Sequence, residues 1–188
     1  MTNGVFSEYE VREMGVKFKS ATEYTSANCI GSSEEEMEAK VVSKSCRGVV
    51  FKKTVKGTGA GTLSLSLHMP YELYVKAYGM ELDTLIEGVK AYGRNSVHEA
   101  FSITQHVYDE DGVEMFKAYP NCIIESGKTA KTENGAEEVA EIELEISIMP
   151  DDYGNGVYQA LASELTDGTA KTDWMTKFTP DMVQIDNA

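Results

Sequence analysis

Apolar residues fall on every second position in several stretches of the chain. The clearest is residues 62–69, where Leu63, Leu65, Leu67 and Met69 alternate with polar neighbours. An extended backbone turns all four to one side, so this stretch predicts a half-buried strand. Burying the four would contribute roughly 1.5–3 kcal/mol per side chain. That fixes the register, because a slip of one residue carries the whole set into water. Pro70 follows with a fixed φ at a first helical position, Tyr71, Tyr74, Val75 and Tyr78 recur at helical spacing, and Gly79 stands where a left-handed cap is wanted. The pattern predicts a strand running directly into one short helix, the two walling a single hydrophobic core.

The same alternation predicts strands elsewhere. Met14, Val16 and Phe18 form one, and Met37, Ala39 and Val41 another, resuming after a break near Cys46-Arg47-Gly48 with Val49, Phe51 and Val55. Residues 20–33 read as a polar loop leading to Glu34-Glu35-Glu36, a solvated loop or helix start. Lys56-Gly57-Thr58-Gly59-Ala60-Gly61 joins two strand patterns, and its glycines predict the reversal of a long hairpin. A phosphate loop is excluded, because no lysine-serine/threonine pair follows and a strand comes next.

Phe101, Ile103 and Val107 alternate before Asp109-Glu110-Asp111-Gly112, a hairpin turn into residues 113–124. The acidic spacing there lacks the alternate ligands and distal glutamate of a calcium loop. Asn134-Gly135 marks a further turn. Residues 141–148 then place Ile142, Leu144, Ile146 and Ile148 on one face and Glu141, Glu143, Glu145 and Ser147 on the other. Val157, Tyr158, Leu161, Ala162 and Leu165 suggest a short helix, and Trp174, Met175, Phe178 and Val183 predict a terminal segment that covers its own body or a neighbour's. A pentapeptide recurs at 75–79 and 89–93 with nothing extending the match, and reads as coincidence.

At 188 residues the chain predicts one domain, with residues 1–11 as an arm, 44–61 as a projecting hairpin and 166–188 as a carboxy-terminal segment. It has no apolar run of membrane-spanning length, and Met1-Thr2-Asn3-Gly4 lacks the regions of a signal peptide, so the reading expects a soluble protein made in the cytosol. Cys29, Cys46 and Cys122 suit reduced structural thiols.

The net charge of −14 argues against a surface built for nucleic acid or anionic membrane. Its distribution is uneven: residues 1–60 carry nine Lys/Arg against eight Asp/Glu, and residues 61–188 carry eight against twenty-three. Lys40, Lys44, Arg47, Lys52, Lys53 and Lys56 lie in one stretch without an acid, so a basic segment is joined to a strongly acidic body.

His68, His98 and His106 lack cysteine or carboxylate partners at ligand spacing, and no nucleophile elbow, zinc helix or dinucleotide fingerprint occurs. The reading is of no enzyme, no cofactor and no metal. An all-β domain with projecting hairpins and oppositely charged segments is suited to head-to-tail association. A monomer with a solvated basic hairpin, binding an acidic partner or a small ligand in its interior, stands as the alternative.

The glycine-rich hairpin entering Ser64-Leu65-Ser66-Leu67-His68-Met69-Pro70-Tyr71, the single helix, the alternating strands and the terminal Trp174-Met175-Thr176-Lys177-Phe178-Thr179-Pro180 segment resemble the major tail proteins of long-tailed, non-contractile bacteriophages. The resemblance covers nearly the whole chain through layout rather than a catalytic signature. It implies two packed antiparallel sheets, sandwich- or barrel-like, with one short helix and a long projecting hairpin. It also implies homo-hexameric rings stacked into a virion tail tube, assembled in the host cytoplasm. The implied partners are a tape-measure protein and the tail-terminator and distal tail proteins, with double-stranded DNA passing unbound and no membrane contact.

On that resemblance, Lys44, Arg47, Lys52, Lys53, Lys56, Gly57, Gly59 and Gly61 are the expected contact to the adjacent ring. Trp174 and Phe178 are an expected terminal interface. Glu141, Glu143 and Glu145 are expected to line the lumen or the outer surface. Binding to DNA grows with each phosphate neutralised, and a carboxylate wall repels it instead.

Overall fold

A computed structural model describes residues 6–132, 134–135 and 137–185; positions 1–5 of the expected arm and 186–188 of the terminal segment lie outside them. The fold is mainly β, as the alternation predicts, and its strands are antiparallel. In chain order they are β1 (Glu10–Phe18), β2 (Thr25–Ser26), β3 (Ile30–Cys46), β4 (Val49–Leu67), β5 (Phe101–Tyr108), β6 (Glu114–Ile124), β7 (Ile142–Ile148) and β8 (Tyr158–Leu161). Helix α1 (Tyr71–Ala77) follows β4, and α2 (Gly168–Lys177) precedes a 3-10 turn at Pro180–Val183.

The hydrogen-bonded order is β2-β1-β5-β6-β7-β4-β3, with β8 on β6. β6 is the hinge between layers. Its first half pairs with β8 through Met115–Ala118, and its last three residues pair with β7. An irregularity between Phe101 and Ile103 of β5, opposite Pro120 and Asn121, separates the two halves. The layers face each other in a sandwich-like arrangement: Met14, Val16, Phe18, Phe101 and Ile103 share one core with Leu63, Leu65, Leu67, Leu144, Ile146 and Ile148. α1 closes that core with Leu73, Tyr74, Val75 and Ala77, and Gly79 turns the chain away at φ 57°. The repeated pentapeptide is helical at 75–77 and irregular at 89–93.

Four expectations change. The long hairpin reverses at Arg47-Gly48, with φ of 50° and 80°, and not at the glycines of 56–61, which lie inside β4. Two successive left-handed residues make the two-residue turn that matches strand twist. Residues 30–33 and the Glu34–Glu36 run belong to β3, because pairing with β4 turns Ser33, Glu35 and Met37 inward and leaves the alternate charges in water. Tyr158–Leu161 is a strand rather than a helix, occupying the edge of β6 that β7 leaves open. Among the described residues there are two α-helices, the second begun by Asp167, whose Oδ1 accepts from the backbone N–H of Thr169 and Ala170 at 2.8 and 2.9 Å.

Cys122 is fully buried and its thiol is pushed far up by that burial, whereas Cys29 and Cys46 are exposed. Titrating the native protein with an aromatic disulfide reagent should modify two thiols quickly and the third only on unfolding; rapid reaction of all three would contradict this packing.

Candidate functional site

β3 and β4 pair with each other far beyond the point where the body ends. β4 meets β7 only from Gly61 to Leu67, so its outer part is covered by β3 alone. The result is a two-stranded ribbon ending at Arg47-Gly48, with both edges unpaired among the described residues. Such ribbons are marginal in water without a face to pack on.

The register sorts the charges. Lys40 lies opposite Lys56 and Lys44 opposite Lys52, with Val42 and Thr54 between, so four lysines share one face. Lys53 pairs with Ser43 on the other face, beside Val41 and Val55. Like charges set directly opposite are unfavourable, and the residues from 39 to 56 hold six cations and no acid. Val41, Val42, Val49, Val50, Phe51 and Val55 are all at least half exposed, and Phe51 reaches 66%. Phe51 is also the extra residue of a bulge: Val50 faces Ser45 and Lys52 faces Lys44, so Phe51 has no cross-strand partner. Bulges of this kind re-aim a side chain. Apolar side chains thus stand exposed on both faces of the ribbon among charges of one sign, the marks of an interaction surface.

The glycines at 57–61 form the root of the ribbon. Between Met37 and Ala39 β3 advances two residues while β4 advances four, from Gly61 back to Gly57. Gly59 adopts φ 77°, and a Cβ there would overlap the Gly154 carbonyl oxygen. The loop it packs on is held by Asp151, whose Oδ1 accepts from the N–H of Tyr153 and Asn155, both at 2.9 Å, and whose Oδ2 accepts from the Tyr158 hydroxyl at 2.7 Å. Of the expected contact residues, Lys44, Arg47, Lys52, Lys53 and Lys56 are thus on the ribbon, while Gly57, Gly59 and Gly61 hold its base.

Glu143 and Glu145 project from the solvent face of β7. Across the register Glu143 aligns with Ser66 and Ser32, and Glu145 with Ser64 and Glu34; Glu36 aligns with Thr62 and Ser147. The face is therefore a serine and threonine band flanked by glutamates on both sides. Glu34 and Glu36 belong to it, which the sequence conceals because β3's start reads as loop. Glu141 is tied down, accepting from the Ser66 hydroxyl and lying over Gly31.

Glu35 faces inward. It accepts from the Tyr119 hydroxyl at 2.6 Å and pairs at 3.0 Å with the ammonium of buried Lys117, which also holds Glu8 at 2.8 Å. Burial, and then the Glu35 charge, hold the Tyr119 hydroxyl well above its usual range.

Trp174 and Phe178 are buried in their own chain against Phe116 and Ala118, and the Trp174 indole donates to the Lys117 carbonyl at 3.2 Å. The terminal segment covers its own sheet. Among the described residues no group of three His, Cys, Asp or Glu could hold a metal ion. His98 is engaged by the Ile124 carbonyl at 2.7 Å, and His106 stacks on Phe116. Among the described residues no helix is long and apolar enough to cross a membrane.

A cavity of about 520 Å³ lies at the opposite end of β4 from the ribbon tip. Met69, Tyr71, Tyr74, Met80 and Ile142 supply its apolar wall, and Lys128, Lys131, Glu141 and Glu143 its charged margin.

No family model matches the chain, and no curated protein does. Among the solved structures that match are two from the anti-feeding prophage. One, from a cryo-EM structure of the tube-terminating cap of the anti-feeding prophage, is 12% identical with a TM-score of 0.45, over 85% of this chain and 96% of that one. The other, from the baseplate of the same particle, is 10% identical with a TM-score of 0.44, over 85% and 97%. TM-scores this low establish no shared role.

The root geometry separates neighbouring glycines. Gly59→Ala should lower stability by about 1–2 kcal/mol from the left-handed backbone alone, with the overlap on Gly154 adding to it. Gly57→Ala, where nothing lies within 4 Å of the added carbon, should stay within about 0.5 kcal/mol of wild type. Urea unfolding of both variants tests this; equal stabilities would contradict the packing of the ribbon on the 150–156 loop.

Proposed function

We propose that the chain is a structural virion protein of the tail-tube type, whose copies self-assemble into hexameric rings that stack as a conduit for DNA. The observation that carries this reading is the ribbon. It is a long, basic, apolar-tipped projection that its own body leaves uncovered, attached to a body with a large excess of carboxylates. A surface of one character at one end and its opposite elsewhere favours heterologous contacts, which generate rings and open stacks. Charge at the rim of such contacts sets register and encounter rate more than affinity.

The glutamate-flanked band of β3, β4 and β7 is the reading's lumen wall. Glu34, Glu36, Glu143 and Glu145 would present phosphate with negative charge and weak hydrogen-bonding hydroxyls, so DNA slides without being held. The tape-measure, tail-terminator and distal tail proteins enter as partners through the family resemblance. The chemistry proposed is association only; the reading assigns no bond-making step.

Negative-stain microscopy of the purified protein tests the reading. Wild type should give rings or tubes that loosen at high salt, because exposed charge pairs are screened over about 10 Å at 0.1 M. A variant in which residues 41–55 are replaced by Asn-Gly, joining Lys40 to Lys56, should keep a folded β-type far-UV circular dichroism, lowered by the strand removed, and stay monomeric. Uniform small particles from concentrated wild type would favour a monomeric binding module, and tubes of normal length from the shortened variant would remove the ribbon from the account.

A further inference from the structure

We infer that the ribbon tip of one copy seats in the cavity beside α1 of the next, with Phe51 as the inserted side chain. This rests on the self-assembly reading above and adds to it a specific receptor. Three observations on the molecule select this pairing. Knob and socket lie at opposite ends of one strand: Val49 begins β4 at the tip, whereas Leu67 ends it beside Met69 and pairs with Ile142 at the cavity wall. Nineteen residues at about 3.3 Å each put them roughly 60 Å apart. No chain can fill its own socket, and a shift along the β4 axis brings a second copy's tip to it.

The chemistry matches as well. Phe51, freed from the ladder by its bulge and preceded by Val49 and Val50, meets a wall of methionine and tyrosine that can pack on an aromatic ring. A cavity of about 520 Å³ is in the range that takes a group of this size. Charge favours the pairing through the body as a whole: the tip brings Lys44, Arg47, Lys52 and Lys53, and residues 61–188 carry twenty-three acids against eight cations, while at the socket margin itself two lysines, Lys128 and Lys131, balance Glu141 and Glu143. One of those lysines, Lys128, stands 5.8 Å from the centroid of the Tyr74 ring, and the Tyr74 hydroxyl donates to the Thr129 carbonyl at 3.1 Å. The socket is thus closed on one side by a loop bound to α1.

Native Cys46, exposed at the tip opposite Val49, supplies the probe. In a Cys29→Ser background, Tyr71→Cys puts a thiol at the socket mouth on a side chain that is already 66% exposed, and Lys128→Cys provides a second position. Treating assembled particles with a short bismaleimide should give a ladder of covalent oligomers from either variant, and none when Cys46→Ser is added. Phe51→Ala should raise the concentration at which assembly begins about tenfold to a hundredfold, with circular dichroism unchanged. Tubes that form normally but give no ladder from either thiol overturn the socket while leaving the self-assembly reading intact. Wild-type protein that never assembles overturns both. Saturation of the cavity by a small apolar probe, without effect on tube formation, would also assign it to a ligand instead of the tip.

Discussion

The ladder between β3 and β4 is the interaction on which the rest depends. Over its inner part it does ordinary work: Leu63, Leu65 and Leu67 alternate into the core, and β7 covers the other edge of β4. Past Gly57 the same hydrogen-bonded ladder continues with nothing beneath it, carrying valines and a phenylalanine into water together with lysines that face one another. A pairing that extends so far without its own core is marginal by itself and is anchored only at its inner half, and the bulge at 57–61 is where the two regimes meet. The loop held by Asp151 fixes the angle there, since Gly59 must lie against Gly154.

How much of this was legible follows from which signals are local. The strand from Thr62 onward, α1 and the Ile142–Ile148 strand could be read directly, because each buries one face and shows water the other. The start of β3 could not. Its inward residues are Ser33, Glu35 and Met37, and Glu35 is acceptable inside only because Lys117 and Tyr119 arrive from β6, more than eighty positions away. The reversal was misplaced for a related reason: a run of glycines signals backbone freedom without saying whether it serves a turn or a close approach, and here Gly59 serves the approach. Arg47 at φ 50° is a conformation that arginine seldom signals.

The second helix was hidden by composition. α2 buries only Ala170 and Trp174, too few for a helical period to emerge, and its visible mark is the Asp167 cap. Trp174 and Phe178 were legible as apolar groups in need of cover, yet sequence alone could not choose between their own sheet and a neighbour's. Of the candidate surfaces, the basic ribbon could be read from charge, while the acidic face could be read only in part: Glu143 and Glu145 are evident from alternation, and Glu34 and Glu36 join them only through strand pairing.

What emerges is a chain whose apolar faces are packed in the body and exposed in one projection. Hydrogen–deuterium exchange, comparing dilute protein with assembled particles, tests that claim most directly. Fast amide exchange is expected at residues 39–56 in the dilute chain, and on assembly protection that appears there together with residues 69–80 and 128–143. Protection of the ribbon already in the dilute monomer, or no change in it once particles form, would contradict the account.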